Sequence, residues 1–316
     1  MSRQARKDAT IPPRLRILKY PWHTGHDYEL AKLPHDFFYL TGTPRQWAVS
    51  QRPIPSNIRW VPDVDAVQTD LMILHLDQWS YHEPSKRFLY LRYRDSYPGT
   101  KVVINHGCNV LDGCSSAQMQ ELVGDTMMVC NSPLAKALWG VENSRYIRHG
   151  MSVEEWPTTH YGHHNVIVVQ PYSTLHGTAR NVEFVERAND RVPITWIGRD
   201  KRFNNFQKYK HYLQSCSIFL QPSFASANPR ARTEAMLTGL AIVTTASHGE
   251  EEYIRNGVNG FASNDEDELI DYLEYLYARP DEVRRIGAAG RETAQRFFNI
   301  DQFIAQWNDL LDHVAA

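Results

Sequence analysis

The chain has 316 residues, 42% of them hydrophobic and 22% charged, with a formal net charge of -2. That is enough apolar material for a large core shared between two domains of about 150 residues each. The near balance of charge excludes a global electrostatic attraction to nucleic acid or to an anionic membrane as the basis of function.

The opening segment, MSRQARKDATIPPRLRILKY, carries Arg3, Arg6, Lys7, Arg14, Arg16 and Lys19 against Asp8 and lacks the apolar centre of a signal peptide. It reads as a frayed basic tail leading into a first strand, with a phosphate-contacting arm as the alternative. No apolar run reaches the roughly 20 residues that span a bilayer. The four cysteines, Cys108, Cys114, Cys130 and Cys216, form no CxxC pair, which points to buried thiols and a reducing cytoplasm.

Strand-like runs then alternate with helical patterns. LRILKY, FFYLTG, LMILHL, KVVINHG and TMMVCNS form one series, and NVIVVQP, ITWIG, SIFLQPS and LAIVTT a second. Continuous apolar strands separated by helices predict parallel sheets covered on both faces, an α/β fold. A polar, histidine-rich stretch from Arg148 to Asn165 separates the series and reads as a linker. His160, His163 and His164 lie in it without a partner carboxylate or cysteine spacing, so they read as solvated rather than metal-binding. Leu269, Leu273 and Leu276 fall at helical spacing, Pro280 opens another helix, and IDQFIAQWNDLLDHV is a final amphipathic segment.

In open parallel sheets ligands settle beyond the carboxyl ends of the strands. The candidates are therefore Gly25, His106, Ser132, Gly150, Ser223 to Arg232, and His248 to Glu252. Ser132 reads equally as a helix cap ahead of Pro133.

From Ser217 onward the order is strand, PS, a short loop, PRARTEAM, TG, strand, HGEEEYIRNGVNGF and RRIGAAGRE. This order and spacing resemble the carboxyl-terminal domain of the retaining, nucleotide-sugar-dependent glycosyltransferases of family four. HTGHDYELAKL, VVINHG, CNSPLAKAL and RHGMSVEEWP resemble the family's amino-terminal motifs, with His149 and Ser152 in place of two usual polar residues. The resemblance spans nearly the whole chain and is most specific after residue 215.

It implies a GT-B architecture: an acceptor-side Rossmann-like domain over 1–155, a nucleotide-sugar-binding one over 156–298, and a helix over 299–316 returning to the first. It implies a nucleoside diphosphate sugar as co-substrate, no metal and no further cofactor. His106 matches the family's active-site histidine, and Glu234 matches the glutamate that contacts the donor ribose. Ser226 stands at the catalytic position where members usually carry a second glutamate, a departure that bears on which sugar is held. The usual arginine and lysine at the donor diphosphate are also absent: Gln170, Pro171 and His176 stand there. Arg180, Arg199, Lys201, Arg230 or Arg232 are the alternatives for the missing charge. Gly25, Gly249 and Glu252 match further donor-binding positions.

The aromatics Phe203, Phe206 and Tyr209 of RDKRFNNFQKYKHY suit stacking on a nucleobase or a nucleic acid strand; the resemblance implies base contact from the loop and packing from the helix that carries Phe206 and Tyr209. Trp47, Trp79 and Tyr81 are either acceptor platforms or packing residues. The acceptor stays open among saccharide, lipid-linked, small-molecule and modified nucleic-acid classes. A catalytically degenerate binding protein of the same fold is the competing reading. A dinucleotide-dependent oxidoreductase is disfavoured, because no strand is followed by G-x-G-x-x-G.

Overall fold

A computed structural model describes residues 14–108, 113–169, 182–223, 228–246 and 253–315. The first series of strands forms a seven-stranded sheet with order β3-β2-β1-β4-β5-β6-β7. Its strands are β1 (Arg16–Lys19), β2 (Asp36–Leu40), β3 (Ile58–Val61), β4 (Leu71–Leu76), β5 (Thr100–Asn105), β6 (Met127–Cys130) and β7 (Ser144–Tyr146). The second series forms a five-stranded sheet with order β12-β11-β10-β8-β9. It comprises β8 (Val166–Val169), β9 (Ile194–Ile197), β10 (Ile218–Gln221), β11 (Ala241–Thr245) and β12 (Phe261–Ser263). Every pairing in both sheets is parallel.

The central strands are buried on both sides, as β4 with its run of Leu71–Leu76 shows. Alternate side chains feed two cores. Leu18, Met72, Leu74 and Val103 face α2 (Pro84–Ser96), α3 (Ser116–Val123) and α4 (Pro133–Trp139) through Tyr90, Met119 and Trp139. Ile17, Phe37, Ile73 and Ile104 face the other way, towards α1 (Thr24–Leu30) and the distant α10 (Ile300–Ala315). Trp307, Leu310 and Leu311 of α10 are fully buried there, so the amphipathic segment at the end of the sequence completes the first core.

The second sheet is covered by α5 (Val182–Asn189), α6 (Phe206–Ser215), α7 (Arg230–Thr238), α8 (Glu266–Tyr277) and α9 (Pro280–Phe297). The chain crosses between the sheets around Met151, whose N–H donates to the Phe298 carbonyl at 2.8 Å. Gly150 belongs to this crossing: a Cβ there would meet Phe303 Cβ at 2.5 Å. Expected among the ligand-facing residues, Gly150 is a packing residue instead. The histidine-rich stretch is likewise held by backbone bonds, His160 N–H to Gln214 and His163 N–H to Ser215, which dock it on the second domain. Among the described residues no cluster of metal-ligating side chains occurs.

Candidate functional site

Each sheet reverses its strand order once, between β1 and β4 in the first and between β8 and β10 in the second. Loops on either side of such a reversal splay apart and leave a crevice at the carboxyl ends of the strands. The two crevices share one cavity of about 980 Å³. Its walls include Trp22 to His26, Asp77 to Trp79 and His106 from the first domain, and Ile197, Gly198, Gln221 to Ser223 and Asn228 to Ala231 from the second. A separate depression of about 460 Å³ lies at the opposite ends of β5 and β6, beside Lys101 and Met127, away from these residues.

The first wall is built on a buried ion pair. Lys19, ending β1, donates from Nζ to Asp27 of α1 at 2.6 Å, and both side chains are inaccessible to solvent. Asp27 also accepts from Trp22 N at 3.1 Å. A buried pair of this kind is retained only when its geometry and extra hydrogen bonds offset desolvation. Here it fixes the turn that presents Trp22, His23 and Gly25.

His106 follows β5 into the cavity. Asn105 holds the turn behind it by accepting from Gly107 N at 2.9 Å, and Trp139 Nε1 donates to the Gly107 carbonyl at 3.0 Å. Gly107 has no room for a side chain, since a Cβ would lie 1.8 Å from Gln78 Oε1. The His106 ring meets His75 of β4, with Nε2 and Nδ1 3.0 Å apart, and stands edge-on to His26. Burial, followed by the fields of His23, Lys19, Arg45 and Arg230, holds His106 well below the ordinary histidine range. The side chain in the cavity is therefore a neutral imidazole at physiological pH.

The opposite wall is headed by α7. Its residues Arg232 to Thr238 are all buried, so the helix is a core element whose first turn opens on the cavity. Asn228, at φ 64°, turns the chain into it. Arg230 reaches over the amino-terminal end of α1 and donates to Glu29 at 3.3 Å, while its Nε and Nη1 are buried without a partner. Gly25 makes that approach feasible: a Cβ there would stand 2.9 Å from Arg230 Nε. Burial pushes the Arg230 guanidinium down and Glu29 pushes it back up. Arginine stays charged under such opposing effects. It leaves a cation with spare donors on the cavity wall.

Glu234, one turn further on, is occupied. Arg52 of the first domain donates to its Oε1, and the Tyr209 hydroxyl donates to Oε2 at 2.8 Å. Arg52 lies 4.0 Å over the Phe206 ring and is itself placed by Trp47, whose Nε1 donates to the Arg52 carbonyl at 2.9 Å. Trp47 is thus a packing residue and no acceptor platform. Tyr81 also lies off the cavity, with Arg87 stacked 4.3 Å over its ring, whereas Trp79 lines it.

His106, Gly25, Arg230 and Glu234 therefore meet around one cavity. Arg199 does not join them: it pairs with Asp200 at 2.9 Å and stacks on Trp196, outside the lining. Arg232 is also turned away, donating from Nη1 to Thr244 at 3.3 Å, from Nη2 to Asn228 at 3.3 Å, and to Tyr253. Ser132 is a cap, accepting from Ala135 N at 3.0 Å. Ser226, His176, Arg180, Gly249 and Glu252 lie outside the described residues. Residues missed in the sequence include Arg45, Arg52 and Lys86 of the first domain and Arg202 of the second, all lining the cavity. Tyr209 was expected to pack but reaches the site. His75 was legible as the one histidine inside the apolar run LMILHL, at the end of a central strand beside the order reversal.

Comparison with known proteins agrees with this geometry. Residues 194–293 match the family model described as glycosyl transferases group 1. A sucrose synthase of Thermosynechococcus vestitus is 30% identical over 117 residues, which is 35% of this chain and 14% of that protein. A trehalose synthase of Pyrococcus horikoshii is 26% identical over 101 residues, 32% of this chain and 24% of that protein. The chain thus matches about a quarter or less of the length of these relatives. Over the whole fold, Anabaena HepE in complex with UDP-glucose superposes with TM-score 0.70 at 14% identity, covering 95% of this chain and 100% of that one. The sucrose-phosphate synthase of Thermosynechococcus elongatus gives 0.68 at 12% identity, covering 95% and 99%. Residues 194–293 of the second domain thus carry the group 1 glycosyltransferase pattern, and the chain as a whole, with its two facing parallel sheets, has the GT-B fold.

Proposed function

We propose that the protein moves a hexose from a nucleoside diphosphate donor to an acceptor with retention of configuration at the anomeric carbon. The observation that carries this reading is the meeting of His106 and Arg230 on facing walls of one cavity, with Glu234 one turn along α7 beside them. A diphosphate needs fixed positive charge as it leaves. Arg230 has buried, unsatisfied donors for it, and Lys201 and Arg202 lie on the same side. The α7 amino terminus adds its dipole. His106, neutral and half-buried, suits contact with a sugar hydroxyl or the reacting carbon's surroundings better than it suits an anion. Retention is proposed on the family.

Charge neutralisation by side chains also supports turnover without a metal or any further cofactor, so activity should survive EDTA. Residues 1–155 and 156–298 would act as acceptor and donor domains, with 299–316 tying them together. No helix among the described residues is long and apolar enough to cross a membrane. Four free, buried cysteines support a reducing, cytoplasmic setting.

UDP-glucose, found with the structural neighbour HepE, is the first donor to try, followed by other nucleotide sugars. The expected result is UDP release that rises when a suitable acceptor is added. The binding-protein reading is favoured by one observation, the capture of both Glu234 oxygens by Arg52 and Tyr209. Tight nucleotide binding with no turnover of any donor would select it instead.

A further inference from the structure

We infer that His75 is a positioning residue that fixes the tautomer of His106 and makes the active-site imidazole a hydrogen-bond donor through Nδ1. The inference rests on the reading of His106 as a residue of the transfer site, but its central measurement does not need activity.

The geometry is a histidine pair with one nitrogen of each ring engaged. His75 Nδ1 and His106 Nε2 are 3.0 Å apart, so one of the two nitrogens carries the shared proton. The other nitrogen of His75, Nε2, is buried without a partner, and the residue is inaccessible to solvent. A neutral imidazole has one N–H. If His75 were protonated at Nε2, it would bury an unsatisfied donor, the costlier orphan. With the proton on Nδ1, His75 satisfies its donor against His106 and leaves only a bare acceptor in the apolar interior. His106 then accepts at Nε2, and as a neutral ring it carries its own proton on Nδ1. That nitrogen has no partner among the described residues, and the residue lines the cavity.

His75 is well placed to enforce this choice. Its ring is stacked on Trp22 at 5.9 Å, and Tyr20 stands edge-on at 5.3 Å. Its backbone N–H donates to the Tyr20 hydroxyl at 3.2 Å. These rings flank His75 in the orientation that aims Nδ1 at His106. His106 is then committed to giving a hydrogen bond to a substrate oxygen and is unavailable as a proton-accepting base while the pair is intact.

The test is an imidazole ¹⁵N spectrum of the histidine-labelled protein, with His106 assigned by loss of its signals in His106→Gln. The expected spectrum shows His106 protonated at Nδ1. Protonation at Nε2 overturns the inference. In His75→Phe, which keeps a flat ring but removes the donor, His106 should shift to the Nε2-protonated form. Its kcat with UDP-glucose should fall about tenfold, the worth of one hydrogen bond, while UDP affinity stays unchanged. His75→Asn places an amide donor near the position of Nδ1 and should keep both the tautomer and most of the turnover. An unchanged His106 tautomer in His75→Phe, or equal loss of turnover in both variants, would show that His75 only packs. If no donor turns over at all, the proposed function fails and the spectra alone decide the role of His75.

Discussion

Arg52 crosses the cavity to donate to Glu234, so the carboxylate expected to hold the donor ribose is bound to the opposite domain. Both side chains are almost fully buried, at 4% and 9% exposure, which gives the contact weight beyond a surface ion pair. Tyr209 holds the second oxygen at 2.8 Å. Ribose hydroxyls can reach Glu234 only by displacing or sharing these donors, and the charged one is the stronger competitor.

Removing that competitor should therefore help the nucleotide. Arg52→Met is expected to raise UDP affinity by about tenfold, close to the ~1.5 kcal/mol of one charged hydrogen bond. Glu234→Gln should weaken UDP by about 1.5 to 3 kcal/mol. Calorimetry on the two variants reads both effects. Weaker binding by Arg52→Met would mean that the arginine is part of the nucleotide site.

Arg230 should act on phosphate and not on the nucleoside. Arg230→Met is expected to lower UDP affinity about 10-fold to 100-fold, in line with the loss of a charge-assisted hydrogen bond, and to leave uridine affinity unchanged. Gly25→Ala should do the same to a smaller degree, because its methyl group would displace Arg230 Nε from a 2.9 Å approach. Equal losses for UDP and uridine would point to collapse of the wall.

Much of this architecture was legible in the sequence for one physical reason: strands buried on both faces are written as unbroken apolar runs. β3, β7 and β12 escaped because they are short edge strands, and β3 exposes Arg59 and Trp60. His106, Gly25 and Arg230 were found because they follow strands or open a helix, positions that topology sends to the ligand side, whereas Glu234 was found through the resemblance of PRARTEAM to the family motif. Arg52 obeys no such rule. Its reach depends on a loop packed under Trp47 and on the facing of two domains, neither of which leaves a periodic signal.

Acid should unfold the protein early. His26, His75 and His149 are buried, and burial first, then the neighbouring basic side chains, holds each well below the ordinary histidine range. In the unfolded chain these rings take up protons near pH 6.5. Their folded forms stay neutral, so the unfolded state binds more protons as pH drops. Stability is fully present above about pH 6.5 and is lost below it, by up to about 4 kcal/mol per pH unit for the three together. Urea midpoints between pH 7.5 and 5 would show the slope, and His149→Gln should make it shallower. A midpoint independent of pH over that range would mean these rings are not buried neutral.

His106→Gln should separate chemistry from binding. If its contacts strengthen as the glycosidic bond breaks, turnover of UDP-glucose falls by about 100-fold or more while UDP affinity and melting temperature hold. A folded variant with near-normal turnover would remove His106 from the active site.

The seating of α10 against Ile17, Phe37 and Ile104 bears on how the protein is made. Ribosomal synthesis delivers the first sheet early, but the helix that seals one face of it emerges only after the whole second domain. Until then a nascent chain exposes the patch that Phe303, Trp307 and Leu311 will cover. The first domain cannot mature as an independent unit during translation, and chaperone engagement should persist until α10 has left the exit tunnel.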